Sequence, residues 1–334
     1  MNPRFTAYRI HQADGGVAAC YETLALEDLS PGDVVIRVRH SGVNYKDALA
    51  ATGAGKILRR FPLVGGIDLA GTVVASSDPR WQEGAEVLVT GCGLSETHDG
   101  GYAEFARVPG DWVVALPEGF DSHAAMALGT AGFTAALAIH RLEQHGLEPG
   151  AGAVVVTGAT GGVGSVAIDL LAARGHRVVA VTGKPDAADH LRALGAAEVI
   201  PRASLDLGTR PLEQARYAAA IDNVGGPLLA WLTRSVGPGG AIAAVGMAGG
   251  SELHTTVMPL IIRGVDLLGI ASAQTPRPTR LAVWRRLGGD LRPRHLGRIA
   301  PRTIPLAELP GAFAPLLAGS VVGRTVVAIG GAGA

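Results

Sequence analysis

Apolar and polar positions follow two different rhythms along the chain, and the change falls near Met126. Before it, short β-branched runs separated by Gly and Pro predict strands at 34–39, 67–75, 86–90, 105–108 and 112–116. The first opens at the turn Ser30-Pro31-Gly32-Asp33. This spacing fits a compact, barrel-like β domain. Beyond Met126, residues 129–143 carry helical apolar spacing. Strand and helix then alternate: strand 153–157, helix 162–173, strand 177–181, helix 186–194 and strand 197–200, with further strands at 217–221, 240–245 and 265–271. Gly175 and Gly195 sit just past helical patterns, where a C-terminal glycine is favoured. Alternating βα units predict a parallel sheet covered by helices on both faces. From 274 onward an Arg-rich helix (Arg280, Arg285, Arg286) is followed by a final strand at 325–329, expected to return to the first domain.

Composition narrows the field. The 334 residues suit two domains, and 48% apolar content is enough for a buried core. The 29 basic and 29 acidic side chains balance, which argues against a general nucleic-acid or polybasic membrane binder. The 48 glycines lie among apolar runs without a collagen period, so they read as turns and close backbone approaches. Two cysteines, Cys20 and Cys92, are too few for a disulfide framework or a four-cysteine zinc lobe, and suit a reducing cytoplasm. The N-terminal stretch lacks the apolar centre of a secretory signal. The longest uncharged stretch, 149–168, holds six glycines and reads as strand–turn–helix rather than a membrane span.

The strongest chemical signal is Gly158-Ala159-Thr160-Gly161-Gly162-Val163-Gly164, between an apolar strand and a helix. Its GxxGxxG spacing differs from GxGxxG, but the physics is shared. Glycines allow backbone N–H groups to approach a pyrophosphate, and the helix N-terminus favours its charge. At the end of the second strand an NAD site places Asp or Glu against the ribose hydroxyls. Here Thr182-Gly183-Lys184 stands instead, with Asp186 a few residues on and Arg202 after the next strand. Donors in place of an acid suit a 2′-phosphate, so NADPH is the expected cofactor.

With these motifs in hand, the chain resembles the medium-chain dehydrogenase/reductase superfamily. It is most similar to the zinc-free, NADPH-dependent acryloyl-CoA reductase branch, often labelled quinone oxidoreductase. The resemblance runs through SGVNYKDALAATGAGKILRRFP (41–62), GGIDLAGTV (65–73), GGYAEFARV (100–108), GTAGFTA (129–135), VVTGATGGVGS (155–165), VIPR (199–202), TTVMPLIIRGVDLLGI (255–270) and GRT (323–325). It implies an α/β fold: a GroES-like β-barrel catalytic domain over 1–126, a Rossmann domain with a doubly wound parallel sheet over 127–273, and a connecting helix and return over 274–334, with the active site in the cleft between domains. It also implies that Tyr45 lies near the nicotinamide and that Thr182, Lys184 and Arg202 hold the 2′-phosphate. Thr130, Thr160, Gly161, Gly162, Val163, Asn223, Met247 and Arg324 complete the implied cofactor contacts. Gly65 departs from the usual Pro, and Thr182 and Lys184 from a more usual Ser and Arg. Lys keeps the charge but loses bidentate geometry.

Zinc-dependent relatives carry Cys near Asn44 and His-Glu where this chain has Gly66-Ile67-Asp68, so no catalytic metal is expected. Cys92, His98 and Asp99 lie close enough in sequence to be weighed as an alternative cluster, but they read as a loop with incidental polar residues, with Cys92 a small apolar residue. His40 and His140 have no matching partners and read as structural. No GxSxG or HExxH motif supports hydrolysis. Without a metal, the chemistry expected is hydride delivery from NADPH to the β-carbon of an α,β-unsaturated thioester or ketone, with donors stabilising the enolate. Tyr45 is the expected donor or proton relay and Asn44 an orienting amide, while Asp47 is expected to fix local structure. Lys56, Arg59, Arg60 and the Arg-rich 277–286 stretch stand either as contacts to coenzyme A phosphates or as a solvated basic face. The leading reading is reduction of a short acyl-CoA, acryloyl-CoA to propionyl-CoA. NADPH:quinone oxidoreductase and a non-catalytic NADPH-binding redox sensor are the alternatives. The apolar run 265–272 predicts an exposed sheet edge that pairs across a two-fold axis in a homodimer.

Overall fold

The computed structural model describes residues 4–330. Two compact units emerge: the described residues up to 130, 273–288 and those from 300 onward form the first, and 131–272 with 289–299 the second.

The first unit is built on β1 (Phe5–Ala13), β2 (Gly16–Leu24), β3 (Val34–Gly42), α1 (Tyr45–Thr52), β4 (Leu63–Val64), β5 (Asp68–Ser76), β6 (Glu86–Thr90), β7 (Phe105–Val108) and β8 (Val114–Ala115). Its three-stranded sheet runs β2-β1-β4. The predicted strand at 112–116 shortens to β8, because Gly110–Trp112 forms a 3-10 turn. The helix α2 (Ser122–Gln144) follows, and non-helical Gly129 (φ 50°, ψ −151°) interrupts it. This helix is long and apolar enough to cross a membrane, but 83% of its most apolar stretch is buried inside the protein, as in a core helix.

The second unit carries β9 (Ala153–Thr157), α3 (Gly162–Ala173), β10 (Arg177–Thr182), α4 (Ala188–Ala193), β11 (Ala196–Pro201), β12 (Tyr217–Asp222), α5 (Gly226–Ser235), β13 (Val236–Ala244), α6 (Met258–Ile262) and β14 (Asp266–Gly269). All pairings are parallel, in the order β11-β10-β9-β12-β13-β14. This is the doubly wound order of a dinucleotide fold, reversing direction between β9 and β12. The predicted helix at 186–194 begins as a 3-10 turn at Pro185–Ala187, where Pro removes a donor.

The chain continues with α7 (Arg277–Gly288), α8 (Leu296–Ile299), β15 (Arg302–Pro305), α9 (Leu309–Leu317) and β16 (Thr325–Ala328). β16 pairs antiparallel with β3, completing a seven-stranded sheet in which β15-β16-β3-β5-β6-β8 are in line and β7 also pairs β3. The 274–334 segment is not one connection. Residues 289–299 pack with the second unit, where the buried Asp169 carboxylate accepts from the Arg294 and His295 N–H groups and meets the His295 ring at 2.7 Å. A core of Phe5, Ile36, Leu69, Tyr102 and Phe313 fills the first unit, and Val155, Val179, Ala220, Trp231 and Ile242 sit in the core of the second.

β3 and β5 approach so closely that a Cβ on Gly71 would lie 2.0 Å from the Arg37 carbonyl oxygen. Gly71→Ala is therefore expected to cost about 1–3 kcal/mol, read as a lower melting temperature of the free protein.

Candidate functional site

In the first unit, Asn44, Thr130 and Arg324 converge on one buried carboxylate. Asp68 opens β5 and is fully buried. Its Oδ1 accepts from the Thr130 hydroxyl at 2.6 Å and the Thr130 N–H at 3.0 Å. Its Oδ2 accepts from the Asn44 amide at 2.8 Å and lies 3.7 Å from the Arg324 guanidinium. Arg324, 3% exposed, gives Nε to the Ala127 carbonyl, Nη1 to Asn44 Oδ1 and Nη2 to the Met126 carbonyl. Glycines make the room: a Cβ on Gly129 would fall 2.5 Å from Asp68 Oδ2, and one on Gly42 would fall 2.7 Å from Arg324 Nη2.

This knot sets the start of α1. Asn44 is the N-cap, and Asp47 accepts from the Asn44 N–H at 2.9 Å and the Asn44 amide at 3.1 Å. The other Asp47 oxygen accepts from the Ile67 N–H at 2.9 Å. Asp47 thus ties α1 to the GGID segment, as its expected structural role requires. Burial, reinforced by the Asp68 charge, pushes its pKa up to about 7. Tyr45, the first residue of α1, stays 46% exposed. Beneath the knot Tyr102, 1% exposed, donates to the Gly42 carbonyl, and burial raises its pKa well above the usual range.

Two expectations change here. Arg324 is a structural member of the knot, since each of its nitrogens meets a protein acceptor. Thr130 likewise spends its hydroxyl and N–H on Asp68. The donor set does not fit a catalytic zinc, which needs three Cys, His or carboxylate ligands. Two carboxylates, both already accepting protein hydrogen bonds, a committed amide and a guanidinium that would repel the cation stand there instead. The alternative cluster is also committed. His98 meets the Asp99 and Pro31 carbonyls, and Asp99 accepts from Ser30 and the Val64 N–H.

In the second unit, β9 leads into a glycine cradle. Gly158 takes φ +59°, and a Cβ on Gly164 would lie 2.4 Å from the Gly158 carbonyl oxygen. Gly161 caps α3 without a side chain, so the first-turn N–H groups of Gly162, Val163 and Gly164 have no side-chain cap. This is the anion-binding geometry a pyrophosphate requires. Behind the cradle, the Thr157 hydroxyl donates to buried Asp222 at 2.5 Å, and Asp222 accepts from the Gly225 N–H at 2.7 Å. The Asn223 amide donates to the Thr157 carbonyl at 2.8 Å, while its buried Oδ1 has no protein partner and remains an acceptor for a ligand. Met247 stands 71% exposed beside this loop.

At the end of β10, Thr182 is 1% exposed, and its hydroxyl accepts from the Lys184 N–H at 2.9 Å. Thr182 therefore shapes the turn through its acceptor lone pair. Lys184 Nζ reaches the Thr160 hydroxyl at 3.4 Å, and burial lowers its pKa. The exposed Arg202 guanidinium lies over Gly183, where a Cβ would sit 3.7 Å from its Cζ. The fold thus brings Thr160, Lys184 and Arg202 together at the cradle's edge. The other basic candidates divide. Arg60 bonds Ser30 and the Thr97 carbonyl, Arg277 the Asp111 and Val113 carbonyls, and buried Arg280 the Thr90 and Ala273 carbonyls. Lys56 and Arg59 remain exposed.

Sequence reasoning missed Asp68, Asp222 and Thr157 as organisers. The only signal for Asp68 was its place in GGIDLAG, and nothing in the pattern marked its partner 256 residues later.

The chain is similar to known dehydrogenases and reductases over nearly its whole length. The alcohol dehydrogenase GroES-like domain model matches residues 30–118, and the zinc-binding dehydrogenase model matches 162–286. The putative quinone oxidoreductase YhfP of Bacillus subtilis is 48% identical over 98% of this chain and 99% of its own, and the acrylyl-CoA reductase AcuI of Ruegeria pomeroyi is 48% identical over 95% and 96%. The yhdH oxidoreductase of Salmonella enterica, solved in complex with NADP, superposes with TM-score 0.94 at 47% identity, covering 97% of this chain and 100% of that one. Bacillus subtilis yhfP, solved with NAD bound, gives 0.95 at 47%, covering 98% and 100%.

The raised pKa of Asp47 has a consequence for stability. In the unfolded chain its carboxyl titrates near 3.9, but in the folded protein it holds its proton to about 7. Between those values the folded state binds more protons, so this group makes stability fall as pH rises. Asp47→Asn is expected to lower the melting temperature overall, because an amide cannot accept on both side-chain atoms. It should also flatten the fall between about pH 4 and 7, checked by melting curves across that range.

Proposed function

Because the chain belongs to the medium-chain dehydrogenase/reductase family, we propose that it is an NADPH-dependent reductase of the C=C bond of a short α,β-unsaturated acyl-CoA, acryloyl-CoA being the preferred substrate. The observation that carries this reading is the Asp68 knot. Its carboxylates and amide are committed to protein partners, which disfavours a Lewis acid there, and it holds α1 with Tyr45 46% exposed at the helix start. Reduction of an activated C=C bond needs no metal, because the carbonyl already delocalises the developing charge.

NADPH, when bound, supplies a hydride to the β-carbon of the substrate. The cradle at 158–164 holds its pyrophosphate, Asn223 Oδ1 accepts from an O–H or N–H group of the cofactor, and Lys184 and Arg202 hold its 2′-phosphate. Tyr45 donates to the substrate carbonyl oxygen as enolate charge develops there, and relays the proton that completes the α-carbon. Asn44 acts by positioning Tyr45. Exposed Lys56 and Arg59 suit the phosphates of the coenzyme A moiety.

The relative solved with NAD and the Lys in place of Arg both bear on cofactor choice, so preference is a measured quantity here. Lys184→Ala with Arg202→Ala is expected to reduce kcat/KM for NADPH by about 10–100-fold, the loss of one or two charge-assisted contacts, with little effect on NADH. The assay that tests the whole reading follows NADPH oxidation with acryloyl-CoA, a small quinone or no acceptor. Turnover is expected on acryloyl-CoA. Turnover on the quinone alone favours the quinone reductase alternative, and cofactor binding without turnover on either favours the sensor.

The reading extends to assembly and compartment. β14 is the outer strand of its sheet, and Leu267 on it is exposed with Val257, Met258, Leu260, Ile261 and Ile262. An open edge bordered by apolar side chains pairs with a second copy, giving a homodimer. Light scattering is expected to give twice the chain mass, and Ile261→Asp with Leu267→Asp to give the single mass. The free thiols of Cys20 and Cys92 suit a cytoplasmic enzyme.

A further inference from the structure

The hairpin β1–β2 brings together three metal-ligating side chains that the reductase chemistry does not use. Strand register sets Arg9 opposite Cys20 and His11 opposite Ala18, so Arg9, His11, Cys20 and Glu22 share one face by the two-residue repeat. His11 Nε2 lies 2.5 Å from Glu22 Oε1, and the Cys20 thiol lies 3.7 Å from the same oxygen. The ligand atoms of all three residues lie within 4.8 Å of one another. The other Glu22 oxygen is held by Arg9 at 3.3 Å, which aims Oε1 at the remaining two groups.

We propose that His11, Cys20 and Glu22 form a site for a single zinc-like divalent cation that clips the edge strand β2 to β1. The ligand set is that of an open tetrahedral zinc site, one nitrogen, one thiolate and one carboxylate oxygen, with water in the fourth position. Tetrahedral bond lengths place a thiolate and a carboxylate oxygen roughly 3.5 Å apart, close to the 3.7 Å already present. The nitrogen and oxygen must part by roughly 0.8 Å to reach their tetrahedral separation, which side-chain rotation at these partly exposed positions allows. Binding releases the Cys20 thiol proton to solvent, and the anionic carboxylate and thiolate together offset the divalent charge. Arg9 acts as the outer partner that orients the carboxylate. The site is separate from the Asp68 knot and the cradle, so it serves stability rather than turnover.

Cobalt(II) titration of the full-length protein tests this. One equivalent is expected to give the near-ultraviolet thiolate-to-cobalt charge-transfer band, displaced by zinc. The band is expected to vanish in Cys20→Ser and to survive in Cys92→Ser. His11→Ala should weaken binding by at least about tenfold, since losing even an outer partner commonly costs 10–100-fold. As a second reading, zinc should slow alkylation of Cys20 in the parent protein but not in His11→Ala. Absence of the band from the parent protein, or its persistence in Cys20→Ser, overturns the proposal.

Discussion

The carboxylate of Asp68 is the point on which the organisation of the first unit turns. A buried charge is tolerable only when it is paired and hydrogen-bonded, and Asp68 meets that condition through Thr130, Asn44 and Arg324. These partners come from distant parts of the chain: the start of α1, the interrupted helix α2 and the segment before β16. Removing one partner of such a buried pair typically costs about 3–5 kcal/mol. The glycines at 42 and 129 exist in this arrangement because any side chain there would occupy the space of the ion pair. The same contacts fix the N-cap of α1, whose first residue is Tyr45.

The second unit solves a different problem by the same means. An anion needs close backbone approach, and Gly158 and Gly164 provide it because a Cβ at either would crowd neighbouring atoms. Asp222 and Thr157 lock the turn from behind, so the cradle is set before any ligand arrives. On the proposed reading, discrimination between cofactors falls to Thr160, Lys184 and Arg202 at the rim. A single ammonium and one guanidinium on an exposed turn give a softer preference than a bidentate pair.

How much of this was legible in the sequence varies with the physics of each element. The predicted helix at 162–173 and strand at 153–157 coincide with α3 and β9, because both are buried and bounded by glycines. The hairpin β1–β2 left no comparable pattern. β2 is an edge strand with nearly every position exposed or half-buried, so it shows no apolar alternation. The eight-residue α1 is too short for a periodic signal and is marked only by its cap, Asn44 with Asp47 three residues on. Among the candidate site residues, the glycine turn before α3 and the nearness of Lys184 and Arg202 to it were legible from local chemistry. The internal partners of Arg324, Thr130 and Thr182 were not, since those contacts are ones that sequence spacing does not encode.

The central claim is that the Asp68 knot leaves the reduction to protein donors alone. The direct test is kcat for acryloyl-CoA reduction by NADPH before and after exhaustive metal chelation, with zinc then restored. The account predicts the same kcat in all three states. A large loss on chelation that zinc recovers would contradict it.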